Sequence, residues 1–322
     1  MHNAFAMLVE WVNTKRGGIR LSMDGNSTEK RSLQIITVDD GSLDENIVPI
    51  TQGLIDGALL APVGACSAAG GVDFILGPYS SGLTELAAKV TNAQGKLLIT
   101  AGASATSVFV NRSLSFGLLP PAATYLHAGI ELLHALNIRS IALLFEDAAA
   151  TKDWCKGASA KAKQLNITVV ESVQVSQNLN QTEVTNVLAR FQAAGPDAVV
   201  GCTYFDVCAE FLTQANTSQF SMQAVLFTTC VTDTRFVTRL ATNAAYVLGT
   251  APWSDYDAEP DHMMDWSPAD FARNYVDRFM EIPPYQAVAA FAGGPLMPLM
   301  HLMWRQLTQG VRCRRAAADS GD

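Results

Sequence analysis

Three serines set among glycines, Ser80 and Ser81 in GPYSSG and Ser104 in GASAT, have the clearest chemical capacity in this chain. Their hydroxyls donate and accept hydrogen bonds, and neighbouring glycines let backbone N–H groups approach a bound molecule with no side chain between. Where such a turn opens a helix, the positive end of the helix dipole adds to the donors. Together Ser80, Ser81, Gly102 and Ser104 suit a small anion such as a carboxylate. No stronger base or nucleophile stands beside them. The competing use of Ser80 and Ser104 is to cap the helices they precede, since serine is a preferred N-cap.

The elements that must position these turns are legible around them. Phe74 to Leu76 is an apolar run of strand length, broken by Gly77-Pro78. Leu83, Leu86, Ala87 and Val90 recur at helical spacing, Gly95 stops the pattern, and Leu97 to Thr100 predicts a second strand. Strand, helix and strand form a right-handed crossover with both strands parallel. Both serine turns then leave the same carboxyl edge of one sheet, the edge where open α/β sheets bind ligands.

Before this unit, Ala4 to Asn13 predicts a helix broken at Gly17-Gly18, Leu33 to Val38 a strand ending in Asp39-Asp40, and Glu45 to Leu60 a helix. After it, Leu114 to Leu118 is a short strand and Pro120-Pro121 marks a boundary. Helices are expected at 125–136, 154–165, 183–193 and 207–215, alternating with strands at 140–145, 169–175, 198–201, 224–227 and 248–251. That alternation implies a doubly wound parallel sheet. Helices at 268–280 and 286–307 follow.

At 322 residues the chain is long for one core, and two domains of about 150 residues each are expected. Hydrophobic residues at 49% and charged ones at 16% exclude disorder. A formal charge of -8 without a basic stripe excludes a nucleic-acid partner. The six cysteines, Cys66, Cys155, Cys202, Cys208, Cys230 and Cys313, contain no CxxC pair, which speaks against a zinc ribbon and leaves no metal or cofactor implied. Cys202 and Cys230 end apolar runs that could be neighbours and pair; reduced core cysteine is the alternative. Sequons at Asn26, Asn111, Asn166, Asn180 and Asn216 fall at loops or helix ends, where a glycan is tolerated. Asp39-Asp40 lacks a third ligand spaced for calcium and reads as a solvated strand end. The uncharged run from Ala287 to Trp304, with Arg305 beyond it, imitates a membrane span, but two prolines, a Gly-Gly pair and His301 argue for a buried helix.

ILGPYSSG and LLITAGASATS, with VEWVNTKRGGI ahead of them and DAVVGCTYFDVCAEFLTQA and ADFARNYVDRFMEIPPYQAVAAFAGGPLM behind, resemble the type I periplasmic binding proteins, especially their branched-chain amino-acid binding members. The resemblance implies an α/β fold of two lobes, each a parallel sheet with helices on both faces. Lobe I would be residues 1–119 with 252–322, lacking a first strand and closing strands, and lobe II residues 120–251. An apolar slot is then expected beside Leu33 to Val38, and poor solubility if this is the whole translated chain. The carboxyl ends of the second lobe's strands carry Glu146-Asp147, Thr203-Tyr204 and Thr229 to Asp233. On this resemblance the first lobe holds the carboxylate of an amino-acid-like ligand, while Asp233 takes its ammonium and Tyr204 forms an aromatic wall. A helix cap for Asp233 and a core position for Tyr204 are the plain alternatives. EDAAATKDW departs from the family, with Thr151 where an aromatic residue often stands, which leaves part of the side-chain pocket unsupported.

The function implied is an extracellular or periplasmic, non-enzymatic binding module that closes on its ligand by a hinge, for uptake or sensing. The same fold resembles the ligand-binding parts of natriuretic peptide, glutamate and cyclase-linked receptors, and the sequons lean toward that use. A membrane receptor or transporter component and a second copy in a homodimer are the compatible macromolecular partners. The competing class is an α/β serine hydrolase using GASAT, which has the context of a nucleophile elbow but lacks its second glycine.

Overall fold

The computed structural model describes residues 1–20, 30–59, 71–72, 74–255 and 266–292. In chain order the elements are α1 (His2–Lys15), β1 (Ile19–Arg20), β2 (Lys30–Arg31), α2 (Asp44–Asp56), β3 (Phe74–Leu76), α3 (Ser81–Ala93), β4 (Leu97–Thr100) and β5 (Ser115–Gly117). They continue with α4 (His127–Ala135), β6 (Ser140–Glu146), α5 (Ala149–Gln164), β7 (Thr168–Val175), α6 (Gln181–Ala194), β8 (Ala198–Cys202), α7 (Phe205–Thr217) and β9 (Ala224–Phe227). Last come α8 (Phe236–Leu240), β10 (Val247–Gly249), α9 (Pro268–Phe279) and α10 (Tyr285–Ala292).

Two parallel sheets divide the chain. One has the order β3-β4-β5 and the other β10-β9-β8-β6-β7, and each is covered by helices on both faces. Alternation within a strand produces this layering, since successive side chains point to opposite faces. Leu97 and Ile99 of β4 join α1, α9 and α10 in one core cluster, while Leu98 joins α2 and α3 in another. In the larger sheet Ile141, Leu143 and Val200 pack under α4 and α5, whereas Ala142, Leu144 and Val199 pack under α6 and α7. The chain is therefore an α/β protein with separate cores around separate sheets.

Between the sheets runs a short 3-10 turn, Ala122–Thr124, held against α5. Gly157 makes the approach tight: a β-carbon there would lie 1.8 Å from the Ala123 carbonyl oxygen. Only a residue without a side chain allows that contact.

One expected element does not form. Leu33 to Val38 is not a strand, although Leu33 is buried. Asn13 of α1 takes both backbone groups of Leu33, its Nδ2 donating to the carbonyl at 2.9 Å and its Oδ1 accepting from the N–H at 2.7 Å. A ladder would need those same two groups. Asp39 and Asp40 behind it close local turns by accepting from the N–H of Gly41 and Ser42. Cysteine pairing also differs from expectation: the disulfide joins Cys208 to Cys230, while Cys202 is a buried free thiol at the end of β8. Cys202 is the last residue of β8 and lies in the sheet core, whereas Cys208 is on α7, which packs on the 3-10 turn carrying Cys230. Asn26, Cys66 and Cys313 lie outside the described residues, as does the segment after Ala292. No helix among the described residues is long and apolar enough to cross a membrane.

Candidate functional site

Strands β3 and β4 pair in parallel, so the turns that follow them emerge at one edge, and the two serine turns meet there. Ser81 Oγ is buried and accepts from the N–H of Ser104 at 3.2 Å and of Ala105 at 3.1 Å. Thr100 Oγ1 accepts from the N–H of Gly102 and Ala103. The amides of residues 102–105 thus serve the turn itself. Ser80 caps α3, accepting from the Leu83 N–H at 3.2 Å. Ser104 makes no cap for the 3-10 helix Thr106–Val108, whose cap position is Ala105. Its buried hydroxyl lies beside the phenol of Tyr125. Gly102 permits the junction by clearance: a β-carbon would lie 2.5 Å from the Tyr79 carbonyl oxygen.

Across from this junction stands the carboxyl edge of the larger sheet. Glu146, the last residue of β6, is 3% exposed and accepts from the backbone N–H of Tyr204, which opens α7. Removal from water pushes the Glu146 carboxyl up to about 7, the Tyr204 N–H bond opposing the shift and the nearby Asp206 charge adding to it. Trp154 of α5 stacks on Tyr125 with centroids 5.5 Å apart and meets Tyr204 edge-on at 5.2 Å. From the smaller sheet's side, the Tyr79 hydroxyl lies 2.8 Å from that of Tyr285 and accepts from Gln286 Nε2 at 3.3 Å. Burial pushes the Tyr125 phenol up to about 12 and also raises those of Tyr204 and Tyr285. Proximity to Tyr79 adds to the upward shift of all three, which sets the four hydroxyls near one another.

Of the residues singled out in the sequence, Ser80, Ser81, Gly102 and Ser104 come together, and Tyr204 reaches them through Tyr125 and Trp154. Asp233 is placed differently. Its Oδ1 accepts from the backbone N–H and Nε of Arg235, and its Oδ2 from an Arg235 terminal nitrogen, each at 2.9 Å. Arg235 holds the Asp233 carboxyl below its ordinary range and covers the Phe205 ring at 4.1 Å. The acid at the Tyr204 side is Glu146, which a strand-end position signalled without distinguishing it from its neighbour Asp147. The aromatic residue missing at Thr151 is supplied one helical turn later by Trp154, while Thr151 Oγ1 donates to the Glu146 carbonyl at 2.6 Å. Spacing of i and i+3 on one helix face was the signal that could have found it.

One hydrogen bond ties the serine-turn segment to α5: the Thr106 N–H donates to Asp153 Oδ2 at 2.8 Å. A charge-assisted bond of this kind in an exposed position contributes at most about 1 kcal/mol to keeping the two sides together. Asp153→Ala should therefore enlarge the radius of gyration measured by small-angle X-ray scattering, whereas Asp153→Asn, which keeps the acceptor, should not. Equal scattering from the wild type and the alanine variant would show that the bond holds nothing closed.

Two open grooves lie elsewhere, about 420 Å3 between α6 and α7 and about 360 Å3 between α1 and α9, and neither includes a residue of the aromatic cluster. Among the described residues no group of three His, Cys, Asp or Glu is placed to hold a metal ion. Ser104 has no histidine bonded to it among the described residues, so the GASAT turn lacks the base that a serine nucleophile requires.

Residues 1–297 match the family model described as periplasmic binding protein, and the chain belongs to that family. Its solved structural neighbours share the two-lobed α/β fold. A leucine-binding protein of Thermotoga maritima matches with a TM-score of 0.72 at 12% identity over 94% of this chain and 83% of that one. An ABC transporter substrate-binding protein of Desulfitobacterium hafniense, solved in complex with Leu, matches at 0.71 and 15% over 95% and 84%. A solute-binding protein of R. palustris, solved in complex with 4-hydroxybenzoate, matches at 0.71 and 14% over 92% and 74%. No curated protein matches the chain in sequence. A ligand-binding module fits the family and the fold, and the serine hydrolase alternative has no support.

Proposed function

We propose that this protein captures a small amino-acid-like solute between its lobes without chemically altering it. The observation that carries the reading is the pairing of a hydroxyl-lined turn junction at Ser81 and Ser104 with a buried carboxyl, Glu146, joined through Tyr125, Trp154 and Tyr204. In this reading Ser80, Ser81, Gly102 and Ser104 form the carboxylate side, Tyr204 the aromatic wall and Glu146 the ammonium side, with Asp233 as an outer acid paired to Arg235. The lobes are residues 1–119 with 252–322 and residues 120–251. A ligand touching both shifts the hinge toward closure by its differential contacts. Structural neighbours named as transporter substrate-binding proteins support delivery to a membrane transporter from an extracytoplasmic compartment. Sensing by a receptor is the second reading, favoured by sequons whose Asn111, Asn166, Asn180 and Asn216 are all exposed and able to carry glycans.

A thermal-shift screen of the proteinogenic amino acids tests the reading. One or a few should raise the melting temperature of the wild type, and Ser104→Ala should reduce that shift by weakening binding about tenfold, the worth of one hydrogen bond to a charged group. Absence of any shift across the library would exclude an amino-acid ligand.

A further inference from the structure

The fold uses its sequons unequally. Asn111 and Asn166 sit in left-handed turns with φ 56° and 58°, a conformation asparagine tolerates, so the turns account for the asparagines themselves. Asn137 occupies the same kind of turn at φ 64° with an arginine, Arg139, two residues on. What the turns leave unexplained is the hydroxyl two residues further at the other two, on Ser113 and Thr168. Both residues are exposed, and neither hydroxyl makes a bond among the described residues. Asn180 repeats the pattern by other means. It caps α6, its Oδ1 accepting from the Glu183 N–H at 3.0 Å, and among the described residues its Nδ2 and the hydroxyl of exposed Thr182 bond to nothing. Asn216 differs in each respect. It lies in the last turn of α7, its Nδ2 donates to Asn243 Oδ1 at 2.8 Å, and Ser218 Oγ donates to the Ala215 carbonyl at 3.2 Å.

We propose that Asn111, Asn166 and Asn180 carry N-linked glycans in preference to Asn216. Glycan transfer takes an asparagine nitrogen and the hydroxyl two residues on, presented together at the surface, and at these three positions neither group has another task. The nitrogen bonds to the anomeric carbon of an oligosaccharide carried on a lipid pyrophosphate. The bond from that carbon to the pyrophosphate oxygen breaks, the lipid pyrophosphate leaves, and the amide gives up one proton. The side-chain carbonyl survives, so Asn180 still caps α6. Asn216 would first have to give up both of its bonds and unwind a helical turn. Topology sets where the sugars stand. Asn111 leads into β5 and Asn166 into β7, so both lie at the amino edges of their parallel sheets, opposite the carboxyl edges that carry the serine turns and Glu146. Glycans at those two positions leave the binding edges bare. The assignment rests on the extracytoplasmic location proposed above and not on what the lobes bind, so its failure leaves the binding reading standing.

The full chain, led by a signal sequence into the secretory pathway of human cells, tests this. Peptide N-glycosidase in heavy-oxygen water turns each glycosylated asparagine into a labelled aspartate, which peptide mass spectrometry counts site by site. Labelling at Asn111, at Asn166 and at Asn180 should each exceed that at Asn216 severalfold. Ser113→Ala, Thr168→Ala and Thr182→Ala remove hydroxyls that hold nothing in the fold, and each should abolish the label at its own asparagine alone. Protein retained in the cells is digested beside the secreted fraction, so a chain that folds poorly still gives a result. Equal labelling at all four positions would show that the motif alone decides and would overturn the preference. Label at none of them, or at Asn216 only, would overturn the assignment altogether.

Discussion

Replacing Glu146 with glutamine should flatten the dependence of stability on pH between about 5 and 8. The wild-type carboxyl has its pKa raised from the ordinary 4.5 to about 7 by burial. Over that interval the folded protein holds a proton that the unfolded chain has released. Stability then falls as pH rises, because the slope follows the difference in protons bound by the unfolded and folded states. The gap between the two values corresponds to about 3 kcal/mol, fully lost once the pH exceeds about 7. Glu146→Gln removes the charge, keeps an oxygen for the Tyr204 N–H, and should be more stable than the wild type at pH 8 while differing little at pH 4.5. Denaturant midpoints of both proteins across the range measure it. A wild type that gains stability relative to the variant on going from pH 5 to 8 would refute a raised Glu146. The same proton gives binding a signature. A ligand ammonium set against Glu146 favours the charged carboxylate, so binding near pH 6 should release a proton and tighten as the pH rises. Titration in buffers of different ionisation enthalpy reads that release directly.

Opening the Cys208–Cys230 bond should be the most damaging covalent change. The bridge closes a loop with a sequence separation of 22, pinning α7 to the 3-10 turn Thr229–Thr232 beside Asp233. Restricting an unfolded loop of this length is worth about 3 kcal/mol. For a domain of this size that lowers the melting temperature by roughly 6–12 °C. Cys208→Ala with Cys230→Ala should show this loss without reductant, and a reducing agent should produce it in the wild type but not in the double variant. A reductant effect that persists in the double variant would place the stabilising bond elsewhere.

Much of the scaffold was legible because its signals are local and repeated. The run LLIT, buried on both faces, reads as a strand from its continuous apolarity, and Gly95 ends the preceding helix in the left-handed region with φ 63°. The serine junction was legible as well, since parallel pairing of β3 with β4 follows from the crossover rule alone. What was not legible depends on long-range competition. Leu33 to Val38 has strand composition, yet Asn13 claims the backbone of Leu33 from twenty positions away. Asp233 sits at the right sheet edge, but a charge two residues on, Arg235, claims it. Glu146 could not be ranked above Asp147 by position, because burial at a strand end is decided by what packs over it. Tyr285 and Tyr79 are 206 residues apart, and no sequence periodicity connects their hydroxyls.

The contact of Gly157 with the Ala123 carbonyl reaches beyond local packing. It welds the strap leading into the larger sheet to the helix that carries Trp154, so Tyr125 and Trp154 travel as one piece whenever the halves part. On the proposed hinge motion, separation would shear the Tyr79, Tyr285 and Ser104 side away from an intact indole–phenol face. A solute arriving in that open state would meet the face first and find the hydroxyl junction only as the halves swing together.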